Sequence, residues 1–172
     1  MPRDQEIHKA SKLGKDDDVI ELLKNGVDPN LRGAQNRRAI HRAVGNGHHE
    51  LVQILIEFKA DVEAKDNNGY TPMHWAAMFG SLESARRLAE GGANLDVQSK
   101  AGDTPLHLAA EKNRPDFIAW ALEEGADPTI ENEASQSPFS VAKKHKNKEC
   151  TKLLALPGSC GCSCGFNVFS KS

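Results

Sequence analysis

Seven histidines and a tight cluster of cysteines are the residues of this chain best equipped for chemistry. Imidazole titrates near neutral pH, so it serves both acid–base catalysis and metal ligation. Thiolates at the spacing Cys160-Gly161-Cys162-Ser163-Cys164 suit soft metals, redox exchange or acylation. Neither set assembles a recognisable centre. A closed zinc site needs a fourth ligand that the tail thiols do not supply. His48-His49 follows Gly47 at a break between apolar segments, with no ligand set around it, and reads as a solvated turn. No nucleophile elbow, Walker-type phosphate loop or dinucleotide fingerprint occurs. The sequence therefore assigns no catalytic residue, no metal and no cofactor.

Four of the histidines carry a different message. His8, His41, His74 and His107 follow one another at intervals of 33 residues, and one further step reaches Ser140. The same interval joins Ala10, Ala43, Ala76, Ala109 and Ala142, and also the apolar column Ile7, Ile40, Met73, Leu106 and Phe139. Leu22, Leu55, Leu88, Ala121 and Leu154 form another column. Gly26, Lys59, Gly92, Gly125 and Gly158 form one more, with Lys59 its exception. Columns that share one register without insertion are the mark of tandem repeats.

Each unit reads as a turn, a helix, a tight break and a second helix. Asn67-Asn68-Gly69 supplies turn chemistry, Thr71 suits an N-cap and Pro72 the first helical position; Thr104-Pro105 and Ser137-Pro138 repeat the device. Gly14, Gly47, Gly80 and Asn113 stop the first helices. Leu51, Val52, Leu55 and Ile56 make an apolar stripe on a second helix, which only a stacked neighbour can bury. Histidines one repeat apart then lie about 8–10 Å from each other, too far to share a zinc ion with bonds of about 2 Å.

Tyr70-Thr71-Pro72-Met73-His74-Trp75-Ala76-Ala77 and Asp103-Thr104-Pro105-Leu106-His107-Leu108-Ala109-Ala110 resemble the ankyrin repeat signature, as do His48-His49-Glu50-Leu51-Val52 and Gly125-Ala126-Asp127. The likeness runs over residues 4–158 and departs at Gln5-Glu6, Arg38-Ala39 and Ser140. It implies an all-α solenoid of about five helix-turn-helix units with β-turn loops. These are a capping repeat over 1–36, repeats over 37–66, 67–99 and 100–131, and a second capping repeat over 132–158. A flexible cysteine-rich tail follows over 159–172. The resemblance also implies that the column histidines bond to turn backbone. A partner protein is then expected on the concave side, formed by turn tips and the exposed side of each first helix.

Carried over position by position, that surface takes in Arg37 and Asn46, then Asn67, Asn68, Tyr70, Met78 and Phe79, and then Lys100, Asp103, Glu111 and Lys112. Tyr70, Met78 and Phe79 are expected to form a central hot spot rimmed by Arg37, Asp103, Glu111 and Lys112, because interface energy concentrates in a few central aromatics. The competing reading folds Met78 and Phe79 back onto adjacent repeats. Trp75 is assigned to packing between first helices.

Composition narrows the rest. The net charge of -2 leaves no basic footprint for nucleic acid. Apolar runs are too short to span a bilayer, and Pro2 excludes myristoylation. Cys150 is the only cysteine outside the tail, which fits a reducing, cytoplasmic setting and a monomer. For the tail, S-acylation of Cys160, Cys162 and Cys164 competes with a reading in which the thiols are incidental. Lys143, Lys144, Lys146, Lys148 and Lys152 could supply the second, electrostatic signal that stable anchoring requires. The expected function is that of an adaptor or regulatory subunit holding a partner protein. The alternatives are a membrane-tethered scaffold and, behind it, a thiol-based metal or redox protein.

Overall fold

Proline at the first position of α5, α7, α8 and α9, and a left-handed residue at each tight break, divide the chain into short helices. The computed structural model describes residues 2–155, with side chains from residue 5 onward. The helices are α1 Pro2–Leu13, α2 Asp16–Lys24, α3 Ala39–Gly45, α4 His49–Glu57, α5 Pro72–Phe79, α6 Leu82–Glu90, α7 Pro105–Glu111, α8 Pro115–Glu123, α9 Pro138–Lys144 and α10 Lys148–Leu154. No strand occurs among the described residues. The described chain is an all-α stack of helical hairpins.

Each odd-numbered helix packs on the even-numbered helix that follows it, and the odd-numbered helices pack side by side in chain order from α1 to α9. Each hairpin turns at one register position. There the backbone is left-handed at Gly14, Gly47, Gly80, Asn113 and Lys146, with φ of 66°, 78°, 71°, 54° and 60°. Lys59, where the neighbouring units have glycine, also takes φ 65°. The break is thus set by hairpin geometry, and glycine is the residue that adopts it with least strain.

The repeat columns form the core. Ile40 and Met73 are fully buried and Leu106 nearly so; Leu55, Leu88, Ala121 and Leu154 form a second buried row. The same register turns polar where no neighbouring hairpin covers it. Leu51, Ser84, Phe117 and Cys150 are buried, but their counterpart in the first unit is exposed Asp18. Ser11, Val44, Ala77 and Ala110 are buried, and their counterpart in the last unit is exposed Lys143.

Candidate functional site

The turns that precede the first helices share one backbone bond. The first residue of each donates its N–H to the carbonyl four residues on: Gly33 to Arg37 (2.9 Å), Asp66 to Tyr70 (3.0 Å), Ser99 to Asp103 (2.9 Å) and Asn132 to Gln136 (3.0 Å). In three of them a side-chain oxygen at that first position accepts two further N–H groups. Asp66 Oδ1 takes those of Asn68 and Tyr70, Ser99 Oγ those of Ala101 and Asp103, and Asn132 Oδ1 those of Ala134 and Gln136. Gly33 has no side chain for this. Its turn winds into a 3₁₀ segment over Ala34–Asn36 with φ 61° at Gln35 and 58° at Asn36. Neighbouring tips are tied by one backbone bond each, Asn67 to Gln35, Lys100 to Asn68 and Glu133 to Ala101. The positions of Asn67, Asn68 and Lys100 are therefore fixed by backbone, and the side chains of these exposed residues project from a rigid rim.

The column histidines hold that rim to the helices. His41, His74 and His107 place Nε2 at 3.2, 2.9 and 2.8 Å from the carbonyls of Tyr70, Asp103 and Gln136 in the next unit's turn. A carbonyl only accepts, so Nε2 carries the proton. Nδ1 then accepts the N–H of the helix N-cap, from Arg38, Thr71 and Thr104. The hydroxyls of Thr71 and Thr104 reach the same nitrogen; Arg38, the departure in the second unit, has none to offer. Burial drives the imidazoles of His41 and His74 down to about 4 and lowers that of His107. With both nitrogens engaged, these rings have no lone pair left for a metal. Among the described residues no group of three or more His, Cys, Asp or Glu side chains is arranged to hold an ion.

His48 is not a solvated turn residue. Its ring lies over Gly14, where an added Cβ would sit 2.5 Å from it, and its Nε2 bonds to Lys12 O at 3.2 Å. Its counterparts do the same work with other chemistry. Ser81 Oγ donates to Val44 O (3.1 Å), Arg114 Nε to Met78 O (3.3 Å) and Asn147 Nδ2 to Ala110 O (2.7 Å). Each is the N-cap of a second helix, and each donates to a carbonyl in the last turn of the preceding unit's first helix.

The apolar feature of the turn-and-first-helix face centres on Trp75. Its indole lies against Gly45 of α3, where a Cβ would come within 2.7 Å of the ring. The guanidinium carbon of Arg37 sits 4.5 Å from the ring centre and Phe79 stacks at 5.6 Å, tilted by 33°. His41 meets the ring edge-on at 6.0 Å. The indole N–H points to Asp66 Oδ2 at 3.4 Å, and Arg37 Nε stands 3.9 Å from that oxygen. Phe79 is 46% exposed, whereas Met78 and Tyr70 are half-buried. Tyr70 packs on His74 at 5.4 Å. Burial, and then the charges of Asp103 and Glu111, raise the pKa of its phenol.

The structure thus brings Arg37 and Phe79 together through Trp75, and sets Tyr70 in the field of Asp103, Glu111 and Lys112. Glu111 and Lys112 pair with each other at 2.8 Å. Asp103 receives Asn132 Nδ2 at 2.8 Å. Asn46 is exposed and donates its amide to Arg42 O at 2.8 Å, which closes a helix end. Cys160, Cys162 and Cys164 lie outside the described residues. Sequence reasoning assigned Trp75 to packing and missed its partnership with Arg37. The available signal was Gly45 one repeat earlier on the facing helix, beside a ring too large for any other residue there.

Hairpins stacked in one register and tied tip to tip define a helical repeat protein. A model described as ankyrin repeats (3 copies) matches residues 7–99, and one described as ankyrin repeats (many copies) matches residues 88–142. The chain belongs to the ankyrin repeat family. It is 38% identical over 63 residues to an ankyrin repeat-containing protein of Schizosaccharomyces pombe, covering 37% of this chain and 30% of that protein. It is 39% identical over 54 residues to Serine/threonine-protein kinase 12 of Arabidopsis thaliana, covering 31% of this chain and 12% of the kinase. It is 41% identical over 59 residues to the Potassium channel KOR2 of Oryza sativa subsp. japonica, covering 34% of this chain and 8% of the channel. The chain therefore matches less than a third of the length of each of these relatives.

Proposed function

We propose that this chain holds a partner protein on the concave side of the stack, at the surface made by turn tips and first helices, and acts as an adaptor or regulatory subunit. Ankyrin repeats are protein-interaction modules and are generally not catalysts. One observation carries the choice of surface: a stacked Arg37–Trp75–Phe79 group ends in a phenyl ring that is 46% exposed. Large apolar side chains that the fold does not bury mark contact surfaces. Tyr70 and Met78 border this group, and Asn67, Asn68, Lys100, Asp103, Glu111 and Lys112 supply a polar rim. Affinity capture with wild-type chain and with Tyr70→Ala/Phe79→Ala chain tests the assignment. The expected result is a set of proteins held by the first and lost by the second, with nearly equal melting temperatures. A captured set that survives both substitutions places the surface elsewhere.

A second reading, a scaffold tethered by acylation of Cys160, Cys162 and Cys164, is favoured by one observation. Lys143, Lys144, Lys146, Lys148 and Lys152 are all exposed at one end of the stack, as an electrostatic supplement to acyl chains requires. Among the described residues no helix is long and apolar enough to cross a membrane. Intact-mass spectrometry of protein from its native source tests this reading: an acyl increment supports it and an unmodified tail overturns it.

A further inference from the structure

The docking face of the second and third units is unevenly charged. Residues 34–46, the turn and first helix of the second unit, include Arg37, Arg38 and Arg42 and no carboxylate. Residues 67–79, their counterparts in the third unit, include no charged side chain at all. Arginine clusters on a helix face are normally quenched by neighbouring Asp or Glu, so the disposition of each guanidinium decides what the surface wants.

Arg38 is satisfied, with Nη1 at 2.6 Å from Asp61. The other two are not. Among the described residues the ion-pair partner of Arg37 is Asp66, at 3.9 Å, and that carboxylate already accepts the N–H groups of Asn68, Tyr70 and the Trp75 indole. Arg42 makes no ion pair among the described residues, and its Nε is buried without a hydrogen-bond partner. Arg38 and Arg87 share the unpaired Nε, but their Nη groups reach Asp61 and Glu83. A guanidinium without a close carboxylate partner keeps donors that one could take, because such donors are usually paired in folded proteins.

Arg37 lies over the half-buried Trp75, and Arg42 stands one helical turn from Gly45, which faces that ring and the exposed Phe79. Arg42, Gly45 and Asn46 stand at i, i+3 and i+4 and so share one side of α3. Gly45 on that side faces both Trp75 and Phe79, with an added Cβ 2.7 and 3.7 Å from them. The Arg37 guanidinium lies over the Trp75 ring as a cation on an aromatic face, and its planar fork of N–H donors is of the kind that grips a carboxylate. On the opposite flank, Asp103 and Glu111 of the fourth unit repel acid. First helices about 8–10 Å apart match roughly three residues of extended chain at ~3.3 Å each.

We propose that this surface takes an extended acidic–apolar peptide segment, whose carboxylates bind Arg37 and Arg42 and whose apolar side chain, about three residues away, packs on Trp75 and Phe79. The inference rests on the docking face proposed above and adds the chemistry of its occupant. Arginine beside stacked aromatics also suits single-stranded nucleic acid. Asp66, Asp103 and Glu111 on or beside the same face, and a net charge of -2, oppose a phosphodiester backbone.

The test uses the full chain and three labelled probes followed by fluorescence anisotropy: a short peptide alternating aspartate with leucine and phenylalanine, its asparagine counterpart, and an oligothymidylate. The aspartate peptide is expected to bind more tightly than the asparagine peptide by about tenfold, as expected for a charge-assisted hydrogen bond. Arg42→Gln should remove that preference and Arg42→Lys should keep part of it, with the melting temperature unchanged in both. Equal binding of the two peptides, no binding of either, a preference that survives in Arg37→Gln/Arg42→Gln, or tighter binding of the oligothymidylate each overturns the proposal. The two readings separate at Phe79→Ala. If both peptides bind equally and both are lost in that variant, the docking face stands and its acid preference falls. If the acid preference depends on Arg42 but neither peptide responds to Phe79→Ala or Tyr70→Ala, the aromatic docking surface itself is wrong.

Discussion

The guanidinium of Arg37 lies 4.5 Å from the centre of the Trp75 indole, so a turn residue of one unit is fastened to the first helix of the next. The same ring rests against Gly45 of the preceding first helix. A Cβ at Gly45 would stand 2.7 Å from Trp75 Cε3, closer than carbon atoms tolerate, and the ring would have to move. Alanine at a helical position is favoured over glycine by about 1 kcal/mol, whereas overpacking costs about 1–3 kcal/mol. Gly45→Ala is therefore expected to be mildly destabilising and to change the near-ultraviolet circular dichroism of the Trp75–Phe79 pair. An unchanged spectrum would show that the ring does not rest on Gly45.

The histidine column gives a sharper stability prediction. His74 is fully buried and links the N-cap of its own helix to Asp103 O in the next turn. Its replacement by alanine removes these bonds and that of the Thr71 hydroxyl and leaves a cavity, for an expected loss of about 2–4 kcal/mol. His49 pairs with Glu50 at 2.9 Å near solvent, and His49→Ala should alter stability by less than about 0.5 kcal/mol. Urea unfolding of the two variants decides the matter. Similar midpoints for both would mean that the column histidine is not a structural tie.

The same rings fix how stability depends on pH. His41 and His74 stay neutral in the folded chain down to about 4, chiefly because they are buried, against an ordinary value of 6.5. Between those values the unfolded chain binds the protons first. The contribution of each ring is thus complete above pH 6.5, falls as the pH drops toward 4, and is lost below it, at the scale of roughly 3 kcal/mol for each ring. Urea midpoints measured between neutral and acid pH should follow that course, and the slope should flatten in His74→Gln. A midpoint that rises on acidification would contradict the assignment.

Much of the fold was legible because a repeat writes each contact several times. Ile40, Met73 and Leu106 differ in shape, but their shared register announces a buried row, and the row is buried. The left-handed breaks were readable at Gly14, Gly47, Gly80 and Asn113, and invisible at Lys146, which takes the same conformation without a turn-forming side chain. The second-helix N-caps escaped notice for a related reason. His48, Ser81, Arg114 and Asn147 share a geometric role and no residue type, and any donor of suitable reach can fill it. On the candidate surface, Phe79 was legible as an apolar residue that packing did not require. The Arg37 stack was not, because it joins residues of different units and different columns.

Those N-cap side chains carry the last prediction. Asn147 Nδ2 donates to Ala110 O at 2.7 Å and lies 3.2 Å from Glu111 O, which makes it a link between the fifth hairpin and the fourth. Its own carbonyl accepts Thr151 Oγ1 at 2.8 Å, a bond internal to the last hairpin that the substitution keeps. In a stack where each unit contacts only its neighbours, removing an interface bond loosens the terminal unit and leaves distant ones untouched. Asn147→Ala is therefore expected to cost about 1–2 kcal/mol, read as faster hydrogen exchange across α9 and α10. Exchange in α5 and α6 should stay as it was. Arg114 spans the corresponding junction between the third and fourth units with a long bond of 3.3 Å and is exposed, so Arg114→Ala should have the smaller effect. Faster exchange throughout the chain in Asn147→Ala would mean that the hairpins unfold as one body, and that the N-cap bonds are not separate joints between them.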